Sequence, residues 1–198
     1  MALEIRTEPD ALLGTPPATG LRGAGPDPGD VLWRARTRDD DGRVWQAQAT
    51  SAPELGSTWT PAKASTGAAA NRRSLHPFEI EVRAELGDGR GASRSVTRRL
   101  LAEGVKVRRW RGEHATLYLP PSPVERTLLV DATASEPAWL GPAAALLSSQ
   151  GAIVLTATAG ADLELLAERI TAVRGARPAE WIAPPPAPPG FPASSLLS

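Results

Sequence analysis

Strict alternation of apolar and polar residues marks the first half of the chain. Val31, Trp33, Ala35 and Thr37 alternate with Leu32, Arg34, Arg36 and Arg38. After Asp39-Asp40-Asp41-Gly42, the return run sets Trp45, Ala47 and Ala49 against Val44, Gln46 and Gln48. Period two with one face inward predicts a β-hairpin, and Gly42 supplies the positive φ that its turn needs. Phe78, Ile80, Val82, Ala84 and Leu86 then alternate with Glu79, Glu81, Arg83 and Glu85. Gly87-Asp88-Gly89 turns the chain into a return run that sets Val96, Arg98 and Leu100 on one side. Val105 and Val107 start another strand, and His114 to Leu119 another. Short strands at this spacing fit an antiparallel, immunoglobulin-like β-sandwich. Its expected core is Val31, Trp33, Trp45, Ala47, Phe78, Ile80, Val82, Val96, Val105, Val107, Leu117 and Leu119.

The pattern changes at Arg126. Leu128, Leu129 and Val130 form a continuous apolar run, as do Ile153, Val154 and Leu155. Such runs predict strands buried on both faces. Between them Ala143 to Leu147 is a helical run, and Gly151 can end it in the left-handed conformation. This is a βαβ unit, and it starts a parallel sheet. Asp162 caps a second helix whose apolar stripe is Leu163, Leu166, Ala167, Ile170 and Val173, with Gly175 at its end. Glu180 to Ala183 follows as a third short strand.

The expected fold is therefore mixed: a β-sandwich followed by a truncated α/β (βαβα) unit. Its divisions are a leader at 1–29, the sandwich at 30–121, the α/β unit at 122–183 and a proline-rich tail at 184–198. In the leader, Leu3 and Ile5 suit an edge strand. The stretch 51–77 is long and irregular, as functional or mobile loops are. Pro120-Pro121-Ser122-Pro123 is a stiff linker or corner.

Composition removes several kinds of chemistry. The 198 residues hold 22 lysines and arginines against 22 aspartates and glutamates, so bulk charge argues for neither nucleic acid nor membrane. The lack of cysteine excludes disulfides, a thiol nucleophile and thiolate metal sites. With two histidines, His76 and His114, and no cysteine, no metal site is expected; no cofactor is expected either. No run approaches a membrane span and the start lacks a secretory pattern, so the expected compartment is the cytoplasm. The stretch from Arg90 to Arg111 is strongly basic. It reads as a solvated face of two strands, or as the site of an anionic partner reached through Arg98, Arg108, Arg109 and Arg111.

Four stretches together resemble the acyl-CoA thioesterase and bile-acid-CoA:amino acid N-acyltransferase family. They are PGDVLWRARTRDDDGRVWQAQAT, PFEIEVRAELGDGR, RRLLAEGVKVRRWRGEHATLYLPP and LLVDATASEPAWLGPAAALLSSQGAIVLTA. The resemblance implies a sandwich domain followed by an α/β-hydrolase domain. It also implies attack on a thioester by a nucleophile on a sharp strand-to-helix turn, with a histidine, an acid and an oxyanion hole. RGARPAEWIAPPPAPPG resembles the strand and that turn in frame. Ala187 then stands at the nucleophile position, and Pro185 and Pro189 replace the turn's glycines. Alanine has no nucleophilic atom, and proline cannot take positive φ. The loop that would help hold the oxyanion reads Asp131-Ala132-Thr133-Ala134-Ser135, without glycine. The hydroxyl pairs Ser148-Ser149 and Ser194-Ser195 have neither flanking glycines nor a nearby base.

The function this implies is that of a catalytically degenerate family member acting as a binding or partner module. Two alternatives stand beside it. One is an active minimal thioesterase whose site another chain completes; the other is a plain β-sandwich interaction module. A shortened sheet exposes an edge, so a homo-oligomer or hetero-partner is expected over the Leu128 and Ile153 strands. Possible ligands are an acyl-CoA or a protein, and not nucleic acid or membrane.

Overall fold

A computed structural model describes residues 2–12, 19–25, 29–52, 59–62, 74–121 and 123–185. They form two compact units, one within 1–72 and 76–99, the other within 73–75 and 100–187. The chain is rich in β-structure, with two helices among the described residues.

The first unit contains β1 (Glu4–Arg6), β2 (Asp10–Leu12), β3 (Gly20–Arg22), β4 (Val31–Arg38), β5 (Val44–Ala49), β6 (Thr60–Pro61), β7 (Phe78–Leu86) and β8 (Gly91–Arg99). Six of them make one sheet in the order β2-β8-β7-β4-β5-β6, and β1 pairs with β3 as a two-stranded ribbon. The alternation read from the sequence sets the faces. Trp33, Ala35, Trp45, Ala47, Phe78, Ile80, Val82, Ala84, Leu86 and Val96 are all buried. Gly42 turns the β4–β5 hairpin at φ 77°.

The 1–29 stretch is not only a leader. Ile5 is buried, and β2 runs parallel to β8. The Thr97 N–H donates to the Pro9 carbonyl at 2.7 Å, and the Arg94 guanidinium to the Ile5 carbonyl at 3.0 Å. Within the 51–77 stretch, β6 pairs with β5 and Trp59 is buried. A lone aromatic between loop residues gave no periodicity from which to foresee this.

The second unit contains β9 (Lys106–Trp110), β10 (Ala115–Leu119), β11 (Arg126–Asp131), α1 (Leu140–Ser149), β12 (Ala152–Ala157), α2 (Leu163–Thr171) and β13 (Ala179–Ile182). Its sheet has the order β13-β11-β12-β10-β9. β11 is parallel to both β12 and β13, whereas β10 is antiparallel to β12 and β9. The expected division near 121 is therefore corrected. β9 and β10 belong to the same sheet as the βαβ unit, and the units part between Arg99 and Leu100. The cause is visible in β10, where Leu117 and Tyr118 point to opposite faces and are both buried. A strand buried on both sides suits the interior of a helix-covered sheet. Val107, expected in the sandwich core, is 36% exposed on edge strand β9.

Helices cover both faces of the second sheet. Leu140, Ala144 and Ala145 of α1 pack on Tyr118, Leu128, Val130 and Val154. Leu166 and Ile170 of α2 pack on Leu117, Leu129, Ile153 and Leu155. Pro142 sits in the first turn of α1, where its missing N–H costs nothing. Gly151 follows the helix at φ 95°. The Asp162 side chain caps α2 by accepting the Leu165 N–H at 3.1 Å. The expectation that a partner covers the Leu128 and Ile153 strands is likewise corrected. These strands are interior, with Leu128 2% and Ile153 0% exposed. Among the described residues the sheet's edges are β9 and β13, and Trp181 on β13 is 43% exposed.

Tyr118 gives a pH-dependent test of this packing. Burial pushes its phenol up to about 12 from an ordinary 10, against the opposing pull of Arg109. The folded state holds this proton more tightly than the unfolded state does. Its contribution is thus whole below pH 10 and is lost as pH rises toward 12. Tyr118→Phe should remove roughly 2 kcal/mol of alkaline destabilisation. Urea unfolding near pH 9 and near pH 11.5 would measure it, and equal losses in both proteins would contradict the assignment.

Candidate functional site

The parallel strands of the second unit reverse direction of growth at β11. The α1 crossover leads from β11 to β12 on one side, and the α2 crossover leads back to β13 on the other. In open α/β sheets such a reversal leaves a crevice beyond the carboxyl ends of the two strands, and ligands bind there. Here those ends are Asp131 and Ile182, and the register pairs Val130 with Ile182. The 131–139 loop and the chain leaving β13 are therefore neighbours. The Trp139 indole N–H ties them together by donating to the Pro185 carbonyl at 2.9 Å.

The loop after β11 is closed upon itself. Asp131 Oδ1 accepts the Thr133 main-chain N–H at 3.0 Å and the Thr133 hydroxyl at 2.6 Å. These bonds, the hydroxyl's first, hold the Asp131 carboxyl below the usual carboxylate range. The loop after β11 thus carries a fixed negative charge, and one of its N–H groups is already engaged. Thr133→Val should raise the Asp131 pKa toward its ordinary value. A carboxyl-carbon NMR titration of both proteins would show this, and an unmoved midpoint would contradict it.

His114 was expected in the sandwich; it lies at the carboxyl edge of the second sheet. Antiparallel β10 begins where β12 ends, pairing Ala115 with Ala157. The His114 carbonyl accepts both the Thr158 N–H and the Thr158 hydroxyl, each at 2.9 Å. Its backbone is left-handed, at φ 51° and ψ 42°. The imidazole packs beside Gly160, where a Cβ would come within 3.3 Å of the ring. Two strand spacings, about 10 Å, separate it from the β11 end. The neighbouring Glu113 pairs with Arg169 of α2.

The remaining candidates do not converge. His76 is exposed in the first unit. Arg98 is 6% exposed on β8 of that unit, and burial lowers its pKa despite Glu8 and Asp10 nearby. Arg108 and Arg109 are exposed neighbours on β9, so they leave opposite faces of that strand. Arg111 begins the 3-10 turn that follows. Of the α1 hydroxyls, Ser149 donates to the Ala145 carbonyl at 2.8 Å and accepts the Ala102 N–H at 2.9 Å. Ser148 is buried within its helix. Among the described residues no cluster of three or more metal-ligating side chains occurs. No helix among them is long and apolar enough to cross a membrane. Ala187, Pro189, Ser194 and Ser195 lie outside the described residues.

The fold and this edge define a β-rich protein of two units, the second a helix-covered sheet whose strand order reverses between β11 and β13. No protein-family model matches the chain, and no curated protein matches it.

Proposed function

We propose that the chain is a non-catalytic relative of the acyl-CoA thioesterases and bile-acid-CoA:amino acid N-acyltransferases, one that binds an acyl-CoA without cleaving it. Its first unit is then the counterpart of the family's sandwich domain, and its second a shortened α/β-hydrolase sheet. The observation that carries this proposal is the pairing of β11 with β13 together with the loop that follows β11. A hydrolase needs its nucleophile after one strand and oxyanion donors from the loop after a neighbouring strand. The pairing has that relation. The donors, however, are opposed by the Asp131 carboxylate, held ionised by Thr133. A negative charge in that loop disfavours the second negative charge of a tetrahedral intermediate. Binding of a polarised but intact thioester carries no such penalty.

The test is a titration of the full chain with palmitoyl-CoA below its micellar concentration, followed by amide and indole NMR. Saturable binding that moves the Trp139 indole and Thr133 amide resonances is the expected result. Absence of binding, or binding that leaves both resonances unmoved, would overturn the proposal.

A further inference from the structure

The outward face of the six-stranded sheet carries a second group of chemically committed side chains, on the first unit and independent of the crevice. Arg34, Arg36 and Arg38 occupy successive outward positions of β4. Cross-strand register extends the pattern into two rows. One row runs Arg83, Arg34, Gln48 across β7, β4 and β5; the next runs Glu81, Arg36, Gln46, Thr60 out to β6. Together they line a trough of about 480 Å³ floored by the strand backbones of Ala35 and Ala47. That volume lies within the range of small-ligand sites.

Arg34 and Arg83 stand directly opposite each other, an arrangement that by itself is unfavourable. Glu85 offsets it by splitting its carboxylate, one oxygen 2.5 Å from Arg34 and the other 2.7 Å from Arg83. Both guanidiniums remain about half exposed, so each keeps N–H groups free for a ligand. Arg36 makes no hydrogen bond or ion pair with any described residue, although Glu81 is opposite it. Arginine's planar fork matches the oxygens of a phosphate two at a time. Two outward positions on one strand are about 7 Å apart. The trough therefore offers one anion position at the Arg34–Arg83 pair and a second at Arg36, with Gln46, Gln48 and Thr60 as neutral hydrogen-bonding groups beside them.

We propose that this trough binds a small ligand carrying two phosphate groups about 7 Å apart. The probe is adenosine 3′,5′-bisphosphate, titrated calorimetrically into the full chain at about 0.15 M salt. Inorganic phosphate and citrate serve as the single-phosphate and carboxylate arms. Saturable binding with a Kd below about 1 mM is expected, at least roughly tenfold tighter than either comparison anion. Arg36→Gln and Arg83→Gln should each weaken it about tenfold or more, and Glu81→Gln should leave it equal or tighter. Thermal melts of the variants verify that they remain folded, as expected for exposed positions. The proposal is overturned by absence of saturation at about 1 mM. Citrate binding as tightly as the bisphosphate overturns it too, as does affinity unchanged within about twofold in both arginine variants.

Discussion

Trp45→Ala should cost the protein about 3–5 kcal/mol of stability, the range for deleting a large buried aromatic. Trp45 is 0% exposed on the inner face of the β4–β5 hairpin. Its indole N–H also donates to Asp39 Oδ2 at 3.1 Å, while Asp39 Oδ1 accepts the Asp41 and Arg43 N–H groups at 3.0 and 2.9 Å. Asp39 thus joins the turn to the core, and Asp39 is itself buried. The alanine variant opens a cavity and also removes one partner of a buried carboxylate. Trp45→Phe separates the two effects. It keeps a large aromatic ring while removing the donor, and so leaves a much smaller cavity than alanine does; its cost should be about 1–3 kcal/mol. Urea unfolding followed by far-ultraviolet circular dichroism measures both, and a loss below about 1 kcal/mol in the alanine variant would contradict this role for Trp45.

Leu155→Ala should cost about 2–5 kcal/mol for the same class of reason in the second unit. Leu155 is 0% exposed at the middle of β12 and lies in the cluster that α2 covers with Leu166 and Ile170. Neighbours on three strands and a helix limit how far the site can collapse around a missing isobutyl group. The measurable consequence is lower amide protection along β11 and β12, which pair from Arg126–Ala152 to Asp131–Ala157. Unchanged protection in those strands would show that the α2-covered face does not hold the sheet together.

The parts of the fold that were legible in the sequence are those whose burial leaves a periodic trace. β4, β5 and β7 alternate because one face is buried and the other wet, and the turn residues between β4 and β5 mark the reversal. β11, α1 and β12 were legible because a helix-covered strand needs apolar residues on both sides. Periodicity does not say which sheet a strand joins. Alternation alone groups β9, β10 and His114 with the first unit, whereas hydrogen bonding joins β9 to β10 and β10 to β12 in the second. Tyr118 held the missing signal, since a phenol next to Leu117 buries the face that a sandwich strand would leave wet. Leu3 and Ile5 marked β1, but the short strands β2, β3 and β6 give too few residues for a pattern and are fixed by hydrogen bonds to distant partners instead. At the crevice, the glycine-free 131–135 loop was legible as a poor oxyanion cradle. The closing of Asp131 on Thr133 and the Trp139 tie to Pro185 were not, because both depend on where the backbone turns after β11.

The most direct test of the central claim is release of free coenzyme A thiol from palmitoyl-CoA, followed with a thiol-reactive chromophore. A charge-closed loop beside β13 predicts no release above the buffer rate at protein concentrations that saturate binding. Release well above that rate, abolished by replacing one serine or threonine of this chain, would contradict it.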